Sequence, residues 1–207
     1  LKTIGKGGFS FIYLVEDLNL NKFAIKEFFM SKCFQRDTDN RTVICSSEYN
    51  QIRKDTFQQN FLNEAIIMKS FSHPNVITSY GYFEENNTIY NVMPFLKGIT
   101  LSQYIKTNGK LTEEEAITII RRLSAAIKYV HSKNICHFDI TPNNVFLQNE
   151  NPILIDFGLS HNYNILNPQS SGIRSISPGY APLELFEKNG KREEWLCLLY
   201  TSPSPRD

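Results

Sequence analysis

Two short segments in the second half of the chain constrain it most. The first is His137-Phe138-Asp139-Ile140-Thr141-Pro142-Asn143-Asn144. The second is an apolar run, Ile153-Leu154-Ile155, that ends in Asp156-Phe157-Gly158. The first offers the carboxylate of Asp139 and, five residues on, the side-chain amide of Asn144. The apolar run reads as a short buried strand that delivers a second carboxylate at its end. Asp and Asn in loops are usually turn formers, so neither segment specifies chemistry alone. Together they suit phosphoryl transfer: one carboxylate to orient a hydroxyl, and an amide and a second carboxylate to hold magnesium on phosphates.

A chain of 207 residues, 41% of them hydrophobic, has room for one large globular domain or two small lobes. Its formal charge of +1 predicts no nucleic-acid partner and no membrane surface. No apolar run approaches transmembrane length, and no signal-peptide start is visible, although residue 1 already reads as mid-strand. Cys33, Cys45, Cys136 and Cys197 share no metal-ligand spacing, and scattered reduced thiols suit a cytoplasmic protein. Nothing in the pattern sets the oligomeric state. The run from Cys197 to Asp207 looks like a translated sequencing-library adapter; it is expected to stand outside the fold, with the natural chain continuing past Trp195. The polypeptide alone is then expected to expose apolar surface and to be unstable.

The other segments each have a plain reading and a sharper one. Leu1 to Val15 reads as two strands around Gly5-Lys6-Gly7-Gly8-Phe9-Ser10. Glycines let backbone N–H groups approach phosphates, but a glycine-rich hairpin turn is commoner than a nucleotide loop. Phe23-Ala24-Ile25-Lys26-Glu27-Phe28 alternates as a strand, and the small Ala24 leaves room for a flat ring. Residues 30–56 are polar and broken, with a turn at Asp37-Thr38-Asp39-Asn40, and are expected to form an inserted mobile loop. From about Thr56 to Phe71 the pattern is helical, with Phe57, Phe61, Ile66, Ile67 and Met68 apolar and Glu64 among them. Ser72-His73-Pro74-Asn75-Val76 stops that helix, because the residue before a proline avoids helical geometry. Val76–Phe83 and Thr88–Met93 then read as a hairpin. Thr112 caps a strong helix that runs to about Ser132, opened by Glu113-Glu114-Glu115. Its stripe of Ala116, Ile119, Ile120, Leu123, Ala126, Ile127 and Val130 is expected to be core.

Taken in order, a glycine loop, a strand lysine, a helix glutamate, an H-x-D-x-x-x-x-N loop and a D-F-G resemble the catalytic core of the eukaryotic-type protein kinases. The resemblance covers roughly residues 1–195 and implies an α+β, two-lobed fold. A small N-lobe over 1–93 would carry an antiparallel five-stranded sheet and one helix, and a mainly helical, incomplete C-lobe would cover 94–195. The implied activity is transfer of the γ-phosphate of ATP, with Mg2+, to serine or threonine hydroxyls of a protein substrate. Asp139 would act on the substrate hydroxyl, Lys26 would hold the phosphates, Glu64 would hold Lys26, and Asn144 and Asp156 would hold the metal. Gly5, Gly7, Gly8 and Ser10 would cover the phosphates. Ile4, Ile12 and Ala24 would lie above the adenine and Phe146 below it. Met93 would be the gatekeeper, and the carbonyl of Pro94 and the backbone of Leu96 would meet the adenine edge. His137 would be a packing residue beside Met68 and Phe157, not a base, and His73 a structural turn residue.

Three departures qualify this. Phe138 stands where the family usually has an arginine that reads a phosphate on the activation segment, which implies activity independent of such a phosphate. Thr141 stands where serine/threonine kinases place a lysine, a loss on the order of 1–3 kcal/mol of charge stabilisation. Ala181-Pro182-Leu183-Glu184 resembles the family's A-P-E segment, with Ser177 where a threonine is usual, and Glu184 would need an arginine from further along a complete chain. The alternative to an active kinase is a pseudokinase scaffold, which Ser10, Phe138 and Thr141 favour. Phosphotransfer to a small molecule fits less well, since the glycine loop and the 177–184 segment look like protein-kinase parts.

Overall fold

The structure, a computed structural model, describes residues 2–162. The expectations placed on Ser177, Ala181 to Glu184 and the run from Cys197 lie outside the described residues. The described residues form two compact units, one running to Ser72 and including Thr78–Leu96, the other of His73–Ile77 with the described residues from Lys97 on.

In chain order the first unit contains β1 (Lys2–Lys6), β2 (Ser10–Glu16), β3 (Lys22–Phe28), β4 (Phe34–Arg36), β5 (Val43–Cys45), α1 (Glu48–Lys69), β6 (Gly81–Glu85) and β7 (Thr88–Pro94). Five strands form one antiparallel sheet in the order β1-β2-β3-β7-β6. Directly opposed residues of an antiparallel pair point to the same face. The register therefore puts Ile12, Lys26 and Asn91 in one row, with Leu14, Ala24 and Met93 beside them on the same face. Phe11, Glu27 and Tyr90 form a row on the opposite face. The β6–β7 turn is Asn86-Asn87, with φ of 52° and 58°, the doubly left-handed turn that suits a two-residue hairpin and that Asn tolerates best after Gly.

The inserted loop expected over 30–56 is not what forms. β4 and β5 pair as an antiparallel hairpin, and α1 begins at Glu48 rather than near Thr56. The reason is burial that a polar average hides. Met30, Cys33, Phe34 and Val43 are almost wholly buried and join Phe28, Phe29, Phe61 and Ile89 in one apolar cluster. The turn at 37–40 does form, with Asp39 Oδ1 accepting from the N–H groups of Arg41 and Thr42 at 2.7 and 2.8 Å. The hairpin is tied down by Val43 N–H donating to the Asn86 carbonyl at 2.9 Å and Asn87 Nδ2 donating to the Val43 carbonyl at 2.7 Å. Lys54 of α1 is buried and donates to Asn87 Oδ1 at 2.9 Å.

The second unit contains β8 (Ile99–Thr100), α2 (Leu101–Asn108), α3 (Glu113–Ser132), β9 (Ile135–Cys136), β10 (Val145–Gln148), β11 (Asn151–Leu154) and β12 (His161–Asn162). Strands β11, β10 and β8 form a small sheet, and β12 pairs with β9. The expected strand from Val76 starts later, at Gly81, because Val76 and Ile77 are used elsewhere. Val76 bridges Leu154, and the N–H of Ile77 donates to the Leu154 carbonyl at 2.9 Å. Helix α3 starts as expected: Thr112 Oγ1 accepts from Glu115 N–H at 3.2 Å while Glu115 Oε2 accepts from Thr112 N–H at 2.7 Å. It buries Ile119, Ala126, Ile127 and Val130. Ile120, assigned to the core stripe, is instead 63% exposed.

Gly98 sits where the chain crosses β10. A Cβ built there would lie 1.9 Å from the Leu147 carbonyl oxygen and 3.0 Å from the Phe146 ring. Backbone cannot yield as a side-chain tip can. Gly98→Ala is expected to destabilise the protein by about 1–3 kcal/mol, the scale of an overpacked site. Urea denaturation measures this, and an unchanged midpoint would contradict it.

Candidate active site

Lys26 lies in the middle of β3, with strands on both sides. Its Nζ donates to Glu64 Oε1 at 2.6 Å, and the two side chains are only 13% and 6% exposed. The Lys26 Nζ also lies 5.7 Å from the centre of the Phe61 ring, less than one helical turn before Glu64. A strand lysine and a helix glutamate whose plain reading is solvent exposure are thus a buried pair. Gly5, Ile12, Ala24 and Met93 share the sheet face of Lys26, so the register brings these expected nucleotide-binding residues to one surface. Pro94 pairs with Phe23 at the end of β7, and Leu96 is half-buried at the end of the unit. Ile4 sits at the bulge in β1 and is 45% exposed.

The glycine loop is closed by Gly7 N–H donating to the Ser10 carbonyl at 2.8 Å. A Cβ at Gly8 would meet nothing within 4 Å, and one at Gly7 only ordinary contacts with Ser10. Packing among the described residues therefore does not require glycine at these two positions. A closely approaching ligand would.

In the second unit the loop after β9 is held by its own polar groups. Asn144 Nδ2 donates to the carbonyl of Asp139 at 2.9 Å and to its carboxylate Oδ2 at 2.7 Å. Asn144 is buried while Asp139 is half-buried. The backbone carbonyl of Asn144 accepts from the N–H of Ile155 at 2.9 Å, which sets the neighbouring Asp156 beside the loop. Asp156 is exposed, with φ of 62°. The Asn144 amide nitrogen is spent on Asp139, so the group it could offer a cation is its side-chain oxygen. An amide oxygen and a carboxylate are hard donors suited to Mg2+, which takes few protein ligands and keeps phosphate and water oxygens for the rest. Among the described residues no group of three or more His, Cys, Asp or Glu forms a cage of its own. Phe146 lies on β10, half-buried, paired with Thr100 and Ile153.

His137 is 1% exposed. Its ring packs edge-on to Phe157 with centroids 4.6 Å apart. Nδ1 accepts from the Asp139 N–H at 3.2 Å, so Nε2 must carry the proton, which it directs to the Ile155 carbonyl at 3.2 Å. Both nitrogens are occupied, and burial pushes the imidazole below its ordinary range. His137 is thus a neutral spacer clamping Ile155 from the side opposite Asn144. That clamp was missed in the sequence, since it runs through the backbone of an apolar residue. Glu27, 1% exposed and next to Lys26, was missed because alternation marks such a residue as solvent-facing.

This chain belongs to the protein kinase domain family, which matches residues 1–195. It is 31% identical over 161 residues to the serine/threonine-protein kinase PrkC of Bacillus subtilis, covering 77% of this chain and 22% of that protein. It is 31% identical over 193 residues to the serine/threonine-protein kinase PknA of a Nostoc species, covering 89% of this chain and 32% of that one. A solved structure described as PpkA-294 apo form superposes with a TM-score of 0.72 at 27% identity, over 91% of this chain and 68% of that one. The chain spans 22% and 32% of the length of these two curated relatives.

The depressed imidazole of His137 sets a sign for pH. The unfolded chain binds a proton at His137 near pH 6.5, whereas the folded chain does so only at lower pH. The neutral ring therefore contributes stability that is full above about pH 6.5 and is lost as pH falls below it. His137→Gln, which removes the titration, is expected to be about 1–3 kcal/mol less stable at pH 7.5 but to lose less on going to pH 5.5. Urea midpoints at the two values read both effects, and equal losses for the two proteins would contradict the assignment.

Proposed function

We propose that the chain is the catalytic part of a protein kinase that transfers the γ-phosphate of ATP, with Mg2+, to serine or threonine hydroxyls of protein substrates. The observation that carries this is the buried Lys26–Glu64 pair. Burying two charges is costly, so such a pair is weak evidence of stability and better evidence of a task. Glycines at positions 7 and 8 that packing does not demand support a phosphate ligand. The relatives' names support serine or threonine as acceptor.

In this reading Glu64 aims Lys26 at the α/β-phosphates, and the backbone of Gly5, Gly7, Gly8 and Ser10 covers them. Ile4, Ile12, Ala24, Met93, Pro94, Leu96 and Phe146 take the adenine. Asn144 and Asp156 would hold Mg2+, which when bound would supply positive charge against the phosphates. Asp139, its carboxylate oriented by the Asn144 amide, positions the substrate hydroxyl. The hydroxyl oxygen bonds to the γ-phosphorus as the bond to the β-phosphate oxygen breaks. ADP leaves, and the hydroxyl proton passes to Asp139. With Phe138 unable to pair a phosphate, activity is independent of a phosphorylated activation segment.

A cytoplasmic setting agrees with the free thiols of Cys33, Cys45 and Cys136 and with a need for ATP. No helix among the described residues is long and apolar enough to cross a membrane. The formal charge of +1 gives no support to a nucleic-acid partner. The second reading, an ATP-binding or interaction scaffold, draws on Phe138 and Thr141 but must explain why Lys26, Asp139, Asn144 and Asp156 are all present.

Asp139→Asn separates the two. In the complete protein it is expected to lower phosphotransfer to a generic basic protein by roughly 10²–10⁴-fold while MgATP binding persists. Transfer unaffected by the substitution would overturn the role of Asp139. Nucleotide binding with no transfer by the wild type would favour the scaffold.

A further inference from the structure

Arg36 reaches the sheet from β4, inside the inserted hairpin. Its Nη2 lies 2.5 Å from Glu27 Oε2, and its Nη1 donates to the Arg41 carbonyl at 2.7 Å. Its guanidinium lies 4.6 Å from the centre of the Phe29 ring. Glu27 Oε2 also accepts from the Tyr13 hydroxyl at 2.7 Å, and Oε1 from the Tyr90 hydroxyl at 3.0 Å. Burial, together with the bond to Glu27, raises the Tyr13 hydroxyl well above its ordinary range, in keeping with a phenol that keeps its proton to donate it. A carboxylate this buried needs a compensating charge, and that charge comes from the insertion.

Two routes connect this cluster to Lys26. The first is β3 itself. Lys26 and Glu27 are neighbours on opposite faces, so anchoring Glu27 fixes the roll of the strand and hence where Lys26 aims. The second is the shared apolar cluster. Phe34 and Val43 of the hairpin and Phe28 of β3 are buried together with Phe61 of α1. Phe28 contacts both Phe34 and Phe61, with ring centroids 5.5 and 5.6 Å away. Phe61 precedes Glu64 by less than a turn of the same helix.

We propose that Arg36 is a positioning residue: by joining the inserted hairpin to Glu27 it holds β3 and α1 so that the Lys26–Glu64 pair is set before any ligand arrives. The effect on ligand binding rests on the reading that Lys26 takes the phosphates of ATP. The brace itself does not, and the two are separable by experiment.

Arg36→Met keeps the aliphatic stem over Phe29 and deletes the charge. Adding Glu27→Gln neutralises the carboxylate left behind and restores a group that hydrogen-bonds to both tyrosines. The full chain is used, with two measurements: amide hydrogen exchange over residues 57–69, and MgATP affinity by calorimetry. Arg36→Met is expected to speed exchange in that stretch and to weaken MgATP binding about tenfold, within the usual range of coupling between sites. The double variant is expected to recover both. Should Arg36→Met not fold, Arg36→Lys takes its place. It keeps the charge but loses the bond to the Arg41 carbonyl, and a loss of roughly threefold is expected. An arginine variant with lowered melting temperature but wild-type exchange and affinity would overturn the proposal. So would a double variant no better than Arg36→Met. If the wild type bound no MgATP while Arg36→Met still sped exchange over 57–69, the brace would stand and the nucleotide reading of Lys26 would fall.

Discussion

Taking the Lys26 ammonium and the Glu64 carboxylate out of water costs several kcal/mol per ion, and much of the first unit is arranged around recovering that cost. The donor must come from a central strand and the acceptor from a helix laid across it, so both elements need independent anchoring. The sheet anchors β3 on both sides. The aromatic cluster anchors α1 through Phe57 and Phe61, and the hairpin of 34–45 packs into the same cluster. Losing either partner would leave an uncompensated charge, a larger penalty than the net worth of the pair. The geometry is accordingly more expensive to break on one side than to keep whole.

The second unit solves a different problem. Here the residues proposed for the chemistry sit on a loop, and loops are soft unless their backbone groups are spoken for. Asn144 and His137 bind Ile155 from its N–H and its carbonyl, which fixes the chain at the residue before Asp156. Phe138 and Asp156 both adopt left-handed backbone, with φ of 59° and 62°. For a bulky phenylalanine this is strained, of order 1–3 kcal/mol, and such strain is retained where the surrounding structure over-determines it. A buried neutral imidazole is well suited to that task, because it donates and accepts at fixed points and carries no charge to solvate.

Much of this was legible from residues. The capping box at Thr112 and Glu115, the periodic face of α3 and the alternation through Phe23–Phe28 rest on local rules, and local rules read well. Lys26 and Glu64 could be paired only through their order among the other motifs, since 38 residues separate them and nothing local links them. The hairpin at 34–45 was not legible. Its strands are three residues each, too short for periodicity, and its buried Phe34 and Val43 are surrounded by Gln, Arg, Asp and Thr. The first turns of α1 were missed for a related reason: Gln51, Lys54 and Asp55 mark no apolar face, and the buried Lys54 donates a hydrogen bond to the Asn87 side-chain oxygen, 33 residues away. Ile120 failed in the other direction, since the periodic stripe is wider than the buried one. Glu27 and Arg36 show the general limit. An ion pair between two elements leaves no spacing signal, because its two halves belong to different strands.

The reading proposed above turns on whether Lys26, held by Glu64, takes the phosphates of MgATP. Acylation of Lys26 by an acyl-phosphate derivative of ATP, followed by mass spectrometry of the labelled peptide, tests it most directly. Lys26 is expected to be labelled, excess MgATP to protect it, and Glu64→Gln to raise the MgATP needed for protection by about tenfold, within the usual range of coupling between groups. Labelling of Lys26 that MgATP does not reduce, or protection indifferent to Glu64, would contradict it.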